Sequence, residues 1–83
     1  MKIIVRKLKR TITEQQVKKL FMPFGVVSSC TLVIDKESGQ SKGFAFVEMA
    51  ADIDGVKAIK ALNNKKIEGL EIKVKVAEEQ TEL

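Results

Sequence analysis

The order in which this chain changes its hydrophobic period restricts its fold more than any other feature. "KIIVR" (2–6) alternates Lys2, Ile4 and Arg6 against Ile3 and Val5, the two-residue period of a strand. "TITEQQVKKLFMPFG" (11–25) then spaces Val17, Leu20, Phe21 and Phe24 as one face of a helix. Thr13 and Gln16 form a capping-box pattern there, Ile12 and Val17 can make the accompanying hydrophobic staple, and Pro23 and Gly25 close the segment. "VVSSCTLVI" (26–34) is a β-branched second strand. "DKESGQSK" (35–42) is a turn-rich connection with Gly39 at positive φ, and "SKGFAFVEM" (41–49) is a third strand. "ADIDGVKAIKALNN" (51–64) returns to helical spacing, with Ala51, Gly55, Ala58, Ile59 and Leu62 on one stripe. Ile53 and Val56 lie off that stripe, where they could meet a partner. "KKIEG" (65–69) reads as a turn, and "LEIKVKV" (70–76) as a fourth strand with Ile72, Val74 and Val76 opposite Lys73 and Lys75.

A β-α-β-β-α-β order is the split βαβ arrangement of ferredoxin-like folds. The fold class is therefore α+β: a sandwich of one four-stranded antiparallel sheet with two helices on one face, because right-handed crossovers carry both helices to the same side. Residues 1–77 suffice for a single domain, with 78–83 a short acidic tail expected to be disordered. Nothing in the chain remains to cover the second sheet face. Sorting the strands by parity gives Ile3, Val5, Ala45, Val47, Met49, Ile72 and Val74 as the core side. The open side carries Lys2, Ile4, Arg6, Lys42, Phe44, Phe46, Glu48, Lys73 and Lys75. On the second strand, Val27, Cys30 and Leu32 can all turn inward, leaving Ser29, Thr31 and Val33 open, only if a bulge falls near Ser28 and Ser29.

Two rings among cations on an uncovered face call for a ligand. Exposing a large ring forfeits burial worth roughly 1.5–3 kcal/mol, whereas aromatic platforms flanked by Lys and Arg suit single-stranded nucleic acid, with bases stacked and phosphates paired. The charge agrees: fifteen cations against eight acids in residues 1–77 leave +7, five of the cations fall in the first ten residues, and the tail adds three acids and no base. Other chemistries have little to build on. The chain has no histidine and one cysteine, Cys30, which excludes an internal disulfide, the usual zinc patterns and a Cys–His pair; Cys30 reads as a small buried hydrophobe. Ferredoxin-like folds also host acyl-phosphate hydrolysis in the loop after the first strand, but Lys7, Lys9 and Arg10 there lack a glycine-rich nest. No enzyme activity, cofactor, metal or small-molecule substrate is expected. Apolar runs too short for a membrane span or a leader point to a soluble, cytoplasmic monomer.

"KGFAFVEM" (42–49) resembles the RNP1 motif of the RNA recognition motif (RRM) family, K/R-G-F/Y-G/A-F-V-x-F/Y, at seven of eight positions counting the free one, and falls on the third strand as that family requires. "IIVRKL" (3–8) occupies the RNP2 place on the first strand, and "LFMPFGVV" and "AIKALNN" resemble the family's helix ends, so that the likeness spans residues 2–77, and the chain is similar to small single-RRM proteins of bacteria. The resemblance implies that Phe46 stacks on a base, that Phe44 stacks on a base or sugar, that Lys42 contacts a phosphate, and that Gly43 permits close approach to the strand. The chain departs from the pattern at Met49 and at Ile4, where aromatics are usual; the second departure removes one of three stacking platforms. Arg6 and Lys7 stand where small and amide residues are common.

These readings give a binder of single-stranded RNA through Lys2, Ile4, Arg6, Lys42, Phe44, Phe46, Lys73 and Lys75, of modest affinity and weak sequence selectivity. Single-stranded DNA is not distinguished, since no residue is assigned to the 2′-OH. The rival is a peptide-binding or self-associating module that uses Ile4, Val33, Phe44 and Phe46 on the same face.

Overall fold

The computed structural model describes residues 1–77; the acidic tail expected at 78–83 lies outside the described residues. The elements are β1 (Lys2–Arg6), α1 (Glu14–Phe21), a 3₁₀ turn (Met22–Phe24), β2 (Val27–Ile34), β3 (Ser41–Met49), α2 (Asp52–Leu62), β4 (Lys66–Ile67), β5 (Leu70–Glu71) and β6 (Lys73–Val76). Strands β2-β3-β1-β6 form one sheet in that spatial order, every neighbouring pair antiparallel. Both helices pack on one face of it. Val17 and Phe21 of α1 and Ala58 and Leu62 of α2 share a single core with the inward residues of the strands. All seven residues that parity assigns to the core, from Ile3 to Val74, are at most 2% exposed.

The first helix starts where its side chains dictate. Thr13 Oγ1 accepts the Gln16 N–H at 3.2 Å, while Gln16 Oε1 accepts the Thr13 N–H at 2.8 Å, completing a capping box. Ile12 and Val17 are both buried, as a staple requires. Thr13 itself is exposed, so a Thr13→Ala variant loses the cap and little packing. It should cost about 1 kcal/mol of stability in chemical denaturation, and an unchanged midpoint would show that the box is not stabilising. Glu14 then ties the helix to the sheet edge, its Oε2 accepting the Leu32 N–H at 2.9 Å. Regular α-helix stops at Phe21 rather than running to Phe24, because Pro23 supplies no N–H for the ladder; Phe24 is carried by the 3₁₀ turn and still packs on the core.

The bulge expected in the second strand is present: the β2–β3 register shifts between Val27 and Ser29, and Cys30 and Leu32 pack on the core. A second shift, between Leu32 and Ile34, was not legible from β2 because its cause lies across the ladder in β3. There Gly43 sits at φ +86°, a left-handed conformation.

The end of the chain differs from the reading. Leu70 and Glu71, assigned to the fourth strand, belong instead to a small hairpin with Lys66 and Ile67. Its two-residue turn holds Glu68 at φ +54° and Gly69 at +89°, the backbone of a type I′ turn. The turn expected at 65–69 is thus present, but a glutamate in the left-handed region carries no strong sequence signal, and the short strands on either side of it were not expected. Ile72 is fully buried, and the sheet strand begins at Lys73. Val76 shares the parity of Ile72 and Val74 but lies at the sheet corner and is 44% exposed. Ile53 and Val56 face outward from α2, as their spacing predicts.

Candidate nucleic-acid interface

The sheet face opposite the helices, which no described helix covers, presents its side chains in rows set by the ladder. One row crosses the sheet as Thr31, Phe46, Ile4 and Lys75; a second, one pleat away, reads Ser29, Glu48 and Lys2; Arg6 stands opposite Lys73. Neighbouring strands lie about 4.8 Å apart and alternate residues along a strand nearly 7 Å apart, so adjacent rows are within reach of one nucleotide. Phe44, Phe46, Ile4 and Val33 are each half-buried, and none of them belongs to the core cluster. Their apolar surface is therefore available to a ligand without disturbing the fold.

The two rings interact with each other. Their centroids are 6.1 Å apart with planes at 87°, an edge-to-face pair. A base lying flat on one ring therefore meets the other ring edge-on. Lys2 Nζ stands 5.1 Å from the Phe46 centroid, a cation–π contact that occupies that face in the free protein.

Charge concentrates at the Phe44 end. A hollow of about 280 Å³ is lined there by Arg6, Lys7, Arg10 and Lys42 beside Phe44. Lys7 leaves β1 in a left-handed conformation, φ +61°, which sends Leu8 into the core and puts the lysine at the rim. The Leu8 N–H donates to the Gly43 carbonyl at 2.8 Å, and a Cβ on Gly43 would come within 3.1 Å of the Leu8 carbonyl oxygen. A side chain at Gly43 would thus meet both the wrong backbone conformation and its neighbour's backbone. Arg10 was not among the expected site residues; the sequence marked it only as one of the basic first ten residues and of the cations in the loop after β1.

The fourth-strand lysines separate. Lys75 is exposed on the Phe46 row, but Lys73 Nζ pairs with Glu71 Oε2 at 3.3 Å and also donates to Asn64 Oδ1, which ties it to the hairpin side. Met49, the RNP1 position lacking an aromatic, is 1% exposed in the core, so that departure leaves the open face unaltered. Ile4 does fall on that face, opposite Phe46 and Lys75, and contributes a half-buried apolar contact without a ring. Cys30 is away from the rings: its thiol donates to the Glu14 carbonyl at 3.6 Å. Burial first, and the Glu14 carboxylate second, push its pKa up against a smaller opposing effect of Lys18, which keeps it a thiol at neutral pH. Among the described residues no cluster of ligating side chains could hold a metal ion, and no helix is long and apolar enough to cross a membrane.

The RNA recognition motif model matches residues 3–73, most of the chain. The chain belongs to the RNA recognition motif family. It is 36% identical to the RbpB protein of Nostoc over 77 residues, covering 93% of this chain and 75% of that one. A chloroplastic RNA-binding protein of Arabidopsis thaliana is 39% identical over 80 residues, although this RRM chain spans only 28% of its length. Among solved structures, the RNA-binding protein PG1 superposes with a TM-score of 0.92 at 35% identity, over 99% of both chains. The Sxl-lethal protein in its complex with RNA superposes with a TM-score of 0.90 at 31% identity, over 98% of this chain and 48% of that one. The likeness thus extends from a Nostoc protein to a chloroplastic one and to longer chains.

Proposed function

We propose that this RRM binds single-stranded RNA on its open sheet face, with a base stacked on Phe46, Phe44 set against the neighbouring base or sugar, and phosphates held by Arg6, Lys42 and the cations around them. The observation that carries this reading is that two aromatic rings, half-buried yet outside the core, stand on a face that no helix among the described residues covers, with a four-cation hollow at one end. The family membership and the RNA complex of a solved neighbour support it. Stacking tolerates every base, and Ile4 withholds one platform, which together favour modest affinity and weak overall selectivity. Lys73 contributes least to this surface, since Glu71 already neutralises it.

The phosphate part of the proposal sets a salt dependence. Two or three single-strand phosphate contacts correspond to a slope of about −1.5 to −2 in log K against log salt. Fluorescence anisotropy of a labelled oligouridylate between low and physiological salt measures that slope. A slope near zero would remove the cationic hollow from the interface. Size that rises with protein concentration and ignores RNA would favour self-association through the same apolar residues.

A further inference from the structure

Among the described residues, the charged side chains of the open-face rows are all cationic except one. Glu48 shares the parity of Lys42, Phe44 and Phe46, is exposed, and stands between Ser29 on β2 and Lys2 on β1 in one row of the ladder. Ser29 Oγ reaches Glu48 Oε1 at 3.5 Å. A hollow of about 250 Å³ opens beside the Phe46 ring, lined by Lys2, Ser29, Thr31, Phe46 and Glu48. A carboxylate repels phosphate, so on a face that only tracked the RNA backbone Glu48 would weaken binding. It helps only where the ligand presents N–H donors. An ionised carboxylate accepts and never donates, and it pairs best with two adjacent donors held in a fork.

The bases differ in this respect. On its pairing edge guanine presents N1–H and the 2-amino group side by side, followed by the O6 acceptor. Adenine and cytosine present one amino group beside a ring-nitrogen acceptor. Uracil presents one N–H between two carbonyl acceptors. Lys2 supplies a cationic donor across the ladder from Glu48. Its ammonium covers Phe46 in the free protein at 5.1 Å from the centroid, so a base stacking there displaces it toward the base edge, where O6 lies. We infer that the seat on Phe46 selects guanine, with Glu48 accepting from N1–H and the 2-amino group and Lys2 donating to O6. This inference rests on the RNA-binding reading above. It adds one selective position to a surface whose stacking is otherwise indifferent to sequence.

The test is a set of labelled pentanucleotides UUXUU with X as uridine, adenosine, cytidine, guanosine or inosine, titrated by anisotropy against the full chain and against Glu48→Gln. The wild type should bind the guanosine pentamer about five- to tenfold more tightly than the all-uridine one, toward the lower end of what a bidentate contact gives. Inosine, lacking the 2-amino group, should lose about half of that gain on a logarithmic scale. In Glu48→Gln the guanosine preference should shrink to within about twofold, because the amide offers one acceptor where the carboxylate offers two. Glu48 is exposed and outside the core, so the variant should fold normally, and its circular dichroism checks this. Equal binding of the guanosine and uridine pentamers by the wild type would overturn the inference and leave RNA binding intact, as would an undiminished preference in the variant. No binding of any pentamer would overturn both.

Discussion

Replacing Phe46 by alanine is expected to weaken binding of a short single-stranded RNA by about 1–3 kcal/mol, the value of one base–aromatic stack. The fold should survive the change. Phe46 is half-buried, lies outside the core cluster, and loses in the variant its edge-to-face contact with Phe44 and the ammonium of Lys2 above it. Those contacts are worth about 0.5–1.5 kcal/mol for the aromatic pair and less than that for an exposed cation–π contact. Isothermal titration and thermal melts on the same preparation separate the two effects. A variant that binds RNA as tightly as the wild type contradicts the stacking role. One whose melting temperature collapses contradicts the assignment of this ring to the ligand-facing side.

Phe21→Ala should show the opposite pattern. Phe21 is fully buried at the end of α1, the largest of the wholly enclosed side chains, with Val17 beside it on the same stripe. Truncating such a ring removes its transfer free energy and leaves a cavity, typically about 3–5 kcal/mol in total. A chain of 83 residues has a total stability of roughly 4–12 kcal/mol at the usual value per residue, so the loss takes a large part of it. Urea unfolding followed by far-ultraviolet circular dichroism should show a midpoint far below that of the wild type, or no folded baseline. A shift under 1 kcal/mol would mean that α1 does not rest on the sheet at Phe21. The two phenylalanine variants form a paired control: Phe21→Ala is expected to cost stability and Phe46→Ala to cost binding.

The sequence placed Phe21 on the core stripe of α1 by its helical spacing and Phe46 on the open face by parity, which is a strict code within a strand. Ile3, Val5, Ala45 and Val47 alternate with Ile4, Phe44 and Phe46, and the order of periods left one sheet face without a cover. The bulge at Ser28 and Ser29 was also legible, since Val27, Cys30 and Leu32 cannot all face inward without it. Conformations with no periodic signature were not. The left-handed Lys7 and Glu68 are ordinary residues by type, and neither the rim position of Lys7 nor the hairpin at 66–71 follows from local propensity. Side-chain pairings across the ladder were equally invisible. That Lys2 covers Phe46, that Lys73 is held by Glu71 and that Arg10 joins the Phe44 hollow all depend on register and loop path. Glu48 appeared on the open face by parity alone; its place between Ser29 and Lys2 emerged only from the pairing.

An amide chemical-shift titration of the full chain with a pool of short single-stranded RNAs at low salt tests the central claim most directly. Binding on the open face predicts shifts concentrated on β1 and β3, at Ile4, Lys42, Phe44 and Phe46, with α1 and α2 nearly still. Shifts confined to the helices, or none at millimolar RNA, would contradict it and leave the sheet face to another partner.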